Sequence, residues 1–232
     1  LAADADYRYR PHFAEATAYS QFEDGSVRTV GIVKSRPIRY GVFDHDGTIS
    51  TLRQGWEPVM HHTMLRAILG NDPEEHVASI GPAAMHEIDA ACREFIEATT
   101  GVQTLVQMEG LRRLVRRYGF VPEADILTAQ GYKDLYNKEL MRFVNARLDS
   151  LESGHRRVED FTLVGAVDYL YRLSRDGVRL YLASGTDVDD VRREAYALGY
   201  GDLFGERIYG ATGDARVEPK KVALREILGE IR

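Results

Sequence analysis

Apolar residues between positions 56 and 155 recur every three or four residues, the spacing of one face of an α-helix. The first stretch, Trp56 to Ile68, ends at Gly70, and Asp72-Pro73 marks another helix start because proline fits the first helical position. Three further helical patterns follow, at about 83–100, 103–118 and 123–152. Because no clear strand pattern interrupts them, residues 56–155 are predicted to form a self-contained all-helical subdomain.

Shorter apolar runs of strand length flank this helical stretch. Tyr40 to Phe43 and Val178 to Ala183 are typical of buried strands, and Ile208-Tyr209 suggests a short third one. Helices are predicted over 163–175, from the end of the second strand to about Leu198, and over 219–231. Strands alternating with helices on both sides of an all-α insert predict an α/β fold with a parallel sheet, built from residues 38–55 and 156–232.

Residues 1–37 form an extension before this sheet. The runs Thr17 to Phe22 and Val27 to Val33 flank Asp24-Gly25, which predicts a β-hairpin with an Asp-Gly turn. The extension is either an extra hairpin or the tail of an upstream domain, and nothing in it suggests chemistry.

Composition limits the classes of partner. A net charge of −6 gives no reason to expect nucleic-acid binding, and no apolar run reaches membrane-spanning length. The amino terminus has no signal-peptide pattern. The single cysteine, Cys92, lies in a helical pattern and is expected in the core; one cysteine allows no internal disulfide, which fits a reducing, cytoplasmic location. The sequence leaves the oligomeric state open.

Polar residues that suit phosphoryl chemistry occur at the strand ends and one helix start. Asp44 and Asp46 follow the first strand, Ser184 follows the second, and Lys220 opens the last helix. Strand ends and helix starts share one edge of a parallel sheet, so these side chains are expected to converge. Two carboxylates supply a nucleophile and a general acid/base, while a hydroxyl and an ammonium hold phosphate oxygens. The alternative is that Asp44 to Gly47 is only an Asx-rich turn.

These segments resemble the haloacid dehalogenase (HAD) superfamily. Asp44-His45-Asp46-Gly47-Thr48 resembles its motif I, Leu182-Ala183-Ser184-Gly185-Thr186 its motif II, and Pro219-Lys220-Lys221 its motif III. The helical insert is similar to the C1 cap of the subfamily that includes phosphoglycolate phosphatase and β-phosphoglucomutase. The resemblance covers residues 38–232 and implies a Rossmann-like core beneath a helical cap.

The resemblance implies a Mg²⁺-dependent phosphatase that acts on a small phosphorylated metabolite through an aspartyl-phosphate. Asp44 would be the nucleophile and a metal ligand, and Asp46 the general acid/base, whose backbone carbonyl also binds the metal. Ser184 would bind the phosphate, with Gly185 beside it as a substrate-binding position, and Lys220 would stabilise Asp44 and the transferred group. A phosphomutase uses the same four residues, and a non-catalytic domain that binds a phosphorylated ligand is the alternative outside the enzymes.

Residues just after motif I are candidates for substrate contact. Arg53 is the best, because a guanidinium can meet a second anionic group on the substrate. Trp56 is another, although packing in the helical core explains it as well. His61 and His62 are expected to be polar residues on a helix face.

The family's motif IV supplies further acidic metal ligands beyond the motif III helix, and the sequence ends at Arg232, within that helix. Gly213-Asp214 resembles motif IV superficially, but it precedes Lys220 and follows no long buried strand. We therefore expect a chain that lacks motif IV, binds Mg²⁺ weakly and turns over slowly.

Overall fold

The computed structural model describes residues 19–21, 28–30, 37–70 and 80–230, and the chain divides into two compact units, residues 1–38 and 39–232. In the first unit, β1 (Tyr19–Gln21) pairs antiparallel with β2 (Arg28–Val30). The predicted hairpin pairing is confirmed. The Asp24-Gly25 turn lies outside the described residues.

A three-stranded parallel sheet forms the base of the second unit. Its order is β3 (Tyr40–Phe43), β4 (Arg179–Asp187) and β5 (Ile208–Ala211), with β4 in the centre. The central strand has a continuous apolar run from Leu180 to Ala183, all of it buried, as expected for a strand covered on both faces. The predicted α/β fold with a parallel sheet is confirmed. The central strand extends to Asp187, four residues beyond the predicted Ala183, and its pairing with β5 becomes irregular after Ala183.

In the described residues, the first four helices after β3 lie between it and α5 (Ala166–Arg175). They are α1 (Trp56–Leu69), α2 (Pro82–Ala98), α3 (Thr104–Tyr118) and α4 (Ala129–Glu152), and we call them the helical block. Their inward faces share one apolar cluster that includes Met64, Cys92 and Val144. The predicted helix start at Asp72-Pro73 lies outside the described residues. Within the described ranges, no helix combines the length and the apolar composition that crossing a membrane requires.

The helix predicted over 123–152 is wrong at its beginning. Residues Glu123–Asp125 form a 3₁₀ turn, and α4 begins only at Ala129. Thr128 determines this start, because its side-chain oxygen accepts a hydrogen bond from the backbone N–H of Gly131 at 3.0 Å and so caps the helix.

The remaining helices pack around the sheet. They are α5 (Ala166–Arg175), α6 (Val188–Ala197), the single turn α7 (Gly201–Phe204) and α8 (Pro219–Glu230). A second apolar cluster, which includes Leu180, Val191 and Phe204, joins α5, α6 and α7 to the sheet. Helix α5 begins three residues after the predicted Leu163, because Gly165 precedes it in the left-handed conformation (φ 76°).

Candidate active site

A tight turn follows β3 and presents Asp44 and Asp46. The carbonyl oxygen of His45 accepts hydrogen bonds from the backbone N–H groups of residues 48, 49 and 50 at 3.0 to 3.3 Å. Gly47 occupies the left-handed region (φ 72°), which residues with a Cβ rarely adopt. This turn explains the Asp-Gly-Thr sequence in physical terms: glycine allows the chain to reverse, so both acids remain at the carboxyl end of the strand.

Asp44 lies beside the ammonium group of Lys220. Lys220, on the first turn of α8, donates a hydrogen bond from Nζ to Asp44 Oδ2 at 3.1 Å, and Asp44 Oδ1 accepts from the backbone N–H of His45 at 3.0 Å. The two side chains are 37% and 39% exposed, so the pair is open to a ligand. Residues 176 positions apart in the sequence therefore meet at the predicted edge of the sheet.

Asp46 is held by two hydroxyl groups at the end of β4. Ser184 Oγ donates to Asp46 Oδ2 at 3.1 Å, and Thr186 Oγ1 donates to the same oxygen at 2.9 Å. Ser184 Oγ also accepts from the backbone N–H of Thr186 at 3.0 Å, which fixes the loop between them. The predicted convergence of Asp46 and Ser184 is observed. Sequence reasoning missed Thr186, although its hydroxyl at i+2 from Ser184 was a visible signal.

The surroundings of Asp46 favour its ionised form. Burial alone would raise the pKa of Asp46, but His45, the guanidinium of Arg53 and the hydroxyl of Thr186 together hold that pKa well below its usual range. Asp46 is therefore a carboxylate at neutral pH in the free protein.

Arg53 belongs to a buried ion-pair network behind Asp46. Its Nη2 lies 2.6 Å from Glu194 Oε1 and 3.1 Å from Asp190 Oδ2, and its Nε lies 3.9 Å from Asp46 Oδ1. Arg53 is only 7% exposed and Glu194 is fully buried. The guanidinium of Arg53 is thus already bound by two carboxylates. A contact between Arg53 and the substrate stays a prediction. Glu194 had no local signal in the sequence, because it looks like any charged residue of a helix.

His45 is also buried and contacts Tyr200. The hydroxyl of Tyr200 lies 2.9 Å from His45 Nε2, and both residues are fully buried. Burial raises the pKa of Tyr200, so its hydroxyl keeps its proton. This contact holds the imidazole with its Nδ1 3.4 Å from Asp46 Oδ1 and 4.0 Å from Glu194 Oε2. No local pattern in the sequence links His45 to Tyr200, because 155 positions separate them.

The other candidate residues lie in the helical block. Trp56 is partly buried and packs against the apolar cluster of the block, as the packing interpretation expects. His61 Nε2 lies 2.9 Å from Asp89 Oδ1 on α2, and His62 is exposed.

Asp214 lies outside the block, between β5 and α8. It pairs with Arg216, which lowers the pKa of Asp214 to about 2.

Two sets of potential ligand atoms near the turn differ in their suitability for a cation. Ligand atoms of His45, Asp46 and Glu194 lie within 4.8 Å of one another, a spacing that a metal ion can bridge. Arg53, however, already supplies a positive charge to the two carboxylates of this set. The partly exposed carboxylate of Asp44, with the oxygens of Asp46 two residues on, is an all-oxygen donor set of the kind that Mg²⁺ prefers. The residues present therefore fit Mg²⁺ at Asp44 and Asp46.

The helical block contacts residues close to each of the three motif segments. Arg147 Nη1 on α4 donates to the carbonyl oxygens of Leu52 and Gln54 at 2.6 and 2.9 Å, in the linker after motif I. Lys133, also on α4, lies 2.5 Å from Asp187 Oδ1, directly after motif II. Gln103 Nε2 donates to the carbonyl oxygen of Val217 at 2.6 Å, just before motif III.

Gly185 lies against the helical block as well. A Cβ atom at this position would meet the carbonyl oxygen of Val102 and the backbone of Gln103 at 3.4 to 3.5 Å. The segment before α3 therefore covers the end of β4, which carries Ser184 and Thr186. In this conformation the block contacts the end of β4 beside Asp46.

The family model for haloacid dehalogenase-like hydrolases matches residues 38–232, and the chain belongs to this family. Comparison with curated proteins found no match, and comparison with solved structures found none. The matched residues include both carboxylates of the turn, the hydroxyl pair and Lys220. The fold and the family together define a hydrolase.

Proposed function

We propose that this protein is a Mg²⁺-dependent phosphomonoester hydrolase with a C1-type cap, acting on a small phosphorylated metabolite through an aspartyl-phosphate. The observation that carries the proposal is the different environment of the two carboxylates. Asp44 is open and faces an ammonium group, whereas Asp46 is held by two hydroxyl groups. Two carboxylates in two environments are suited to two different roles.

Asp44 is the nucleophile in this proposal. One of its oxygens forms a bond to phosphorus, and the ester P–O bond breaks as the alcohol leaves. Lys220, at 3.1 Å, balances the charge of Asp44 and of the transferred group, and Ser184 with the backbone N–H of Gly185 holds phosphate oxygens. Water then attacks phosphorus, breaks the bond to Asp44 and releases inorganic phosphate.

Asp46 moves the protons. It donates one to the leaving oxygen in the first step and accepts one from water in the second. The ionised form that the free protein favours is the form needed to accept a proton. The first step needs the protonated form, which a phosphate dianion bound beside Asp46 favours through like-charge repulsion.

Asp44 and the backbone carbonyl of Asp46 would hold Mg²⁺. When bound, the ion neutralises charge on the phosphate and on the attacking carboxylate. Closure of the helical block over bound substrate excludes water from the site. We further propose a cytoplasmic location, because a single buried cysteine fits a reducing compartment.

The deciding experiment is a hydrolysis screen over phosphorylated metabolites with Mg²⁺ and with a chelator. Asp44→Asn should lower kcat by about 10³-fold or more, because it removes the nucleophile. Asp134→Asn, an exposed aspartate on α4, is the matched control and should hydrolyse at the wild-type rate. Rapid quenching followed by peptide mass spectrometry should find phosphate on Asp44.

Undiminished turnover in Asp44→Asn would refute the nucleophile. Activity that chelation does not change would refute the metal requirement. Release of an isomeric phosphate ester in place of inorganic phosphate would identify a phosphomutase.

A further inference from the structure

A buried lysine of the helical block faces the motif II segment. Lys133 is 5% exposed, and its Nζ lies 2.5 Å from Oδ1 of Asp187, the residue that ends β4 and precedes α6. The carboxylate of Asp187 is the accessible member of the pair, at 33% exposure. The contact uses one of the three ammonium donors and one of the two carboxylate oxygens.

Packing does not require a lysine at this position. The flanking buried residues of α4, Tyr132 and Tyr136, belong to the apolar cluster of the block, to which a leucine or methionine is better suited. Removing an ammonium group from water costs free energy that a single ion pair barely recovers. A charged residue kept in such a place is therefore a candidate for function.

The pair lies next to the proposed catalytic groups. Asp187 follows Thr186, whose hydroxyl is 2.9 Å from Asp46 Oδ2. On the same loop, Gly185 lies against the backbone of Gln103, so the block and the loop meet here. The contact between the block and β4 therefore lies within three residues of Ser184, the proposed phosphate ligand.

The charges around the loop favour an uncharged leaving group. Lys220 pairs with Asp44, Arg53 pairs with Glu194 and Asp190, and Lys133 pairs with Asp187. Each of these three cations is thus balanced by at least one carboxylate. The Lys133–Asp187 pair presents a donor and an acceptor side by side, which matches a hydroxyl group better than a second anion.

We propose that Lys133 and Asp187 are specificity residues that bind hydroxyl groups of the leaving alcohol, so that the substrate is a phosphate monoester of a sugar or another polyol. This assignment rests on the proposed hydrolase function and names its substrate class. Lys133 donates to a substrate hydroxyl oxygen, and the second oxygen of Asp187 accepts from the same or the adjacent hydroxyl.

The test compares two substrate types in one variant. Lys133→Met should lower kcat/KM for sugar and polyol phosphates by about 10- to 100-fold, the loss of one or two hydrogen bonds to charged groups. It should leave kcat/KM for p-nitrophenyl phosphate, whose leaving group has no second hydroxyl to bind, within about twofold of wild type. Lys138→Met, which changes an exposed lysine on the same helix, is the matched control and should affect neither. Asp187→Asn should reproduce the selective loss and guards against a folding defect peculiar to Lys133→Met.

An equal loss on both substrate types would overturn the proposal, because it would mean that the pair only holds the block in place. Wild-type preference for p-nitrophenyl phosphate over every polyol phosphate would overturn it too. A wild-type protein without turnover would instead refute the proposed hydrolysis.

Calorimetric binding of glycerol phosphate and phenyl phosphate to Asp44→Asn, with and without Lys133→Met, then decides the specificity separately. A selective weakening for glycerol phosphate supports the pair, and an equal effect on both ligands refutes it.

Discussion

The helical block and the sheet region, which comprises the three parallel strands and helices α5 to α8, bury different kinds of group. The interior of the block is a continuous apolar cluster, and two of its buried polar side chains, Gln103 and Lys133, bond to the sheet region. Directly behind the proposed acid/base, the sheet side of the molecule buries Glu194 in an ion pair with Arg53 of the linker after motif I, next to the imidazole of His45. The block is therefore stabilised mainly by packing, whereas the sheet region accepts costly polar burial in order to hold Asp46.

The largest expected effect tests the charged network. Glu194→Ala leaves Arg53 buried with only the partly exposed Asp190 and, at 3.9 Å, Asp46, and should lower the free energy of unfolding by about 3 to 5 kcal/mol. Chemical denaturation monitored by circular dichroism measures this loss. Asp190→Ala, which removes the more exposed partner, should cost clearly less.

The double variant Arg53→Met/Glu194→Leu sharpens the same point. Replacing both charges by apolar groups should recover most of the stability that Glu194→Ala loses, because no unpaired charge remains. Hydrolysis should stay impaired, because the guanidinium beside Asp46 is gone. A double variant as unstable as the single one would mean that the network, rather than the unpaired charge, stabilises the fold.

A truncation in the apolar cluster tests the other side of the comparison. Met64 is fully buried, and Met64→Ala should cost about 3 kcal/mol in the free energy of unfolding through lost contacts and a cavity. Below the melting temperature, kcat should stay close to wild type, because Met64 packs in the apolar cluster and belongs to none of the motif segments. A large fall in kcat with little loss of stability would contradict the division of labour between the two regions.

The lowered pKa of Asp46 predicts that the free energy of unfolding depends on pH. Its pKa is lower in the folded protein than in the unfolded chain, so ionised Asp46 stabilises the fold above its ordinary pKa, and this stabilisation is lost as the pH falls through the folded pKa. Asp46→Asn should therefore be less stable than wild type by about 2 kcal/mol at pH 7. The gap should shrink below about pH 4. Urea denaturation with a chelator present, from pH 7 to pH 3, measures it, and a gap that does not change with pH would rule out this origin.

The smallest effect is expected on the outer surface of the block. Arg116 and Glu123 form an exposed ion pair at 2.8 Å, and such pairs contribute little because water screens them. Arg116→Gln should change the free energy of unfolding by less than about 0.5 kcal/mol and leave hydrolysis unchanged. A marked loss of hydrolysis would show that Arg116 binds the substrate.

Local patterns predicted the elements, and long-range geometry supplied what they missed. Helical periodicity identified the four helices that define the block. The positions of Asp44 and Ser184 at strand ends, and of Lys220 at a helix start, predicted that they lie at one edge of the sheet. The caps at Thr128 and Gly165 moved helix starts by a few residues, because a side-chain oxygen or a left-handed glycine outweighs periodicity there. Partners such as Glu194 and Tyr200 lie far from motif I in the sequence, so no local pattern could assign them to Arg53 and His45.

Arg147 has a consequence for how the helical block moves. Two linkers join the helical block to the sheet region, residues 51–55 and 153–157. By binding the carbonyl oxygens of Leu52 and Gln54, Arg147 makes the first linker move as a rigid part of the block. Any change in the position of the block relative to β3 therefore carries residues 52–54 with α4 and is taken up outside that segment.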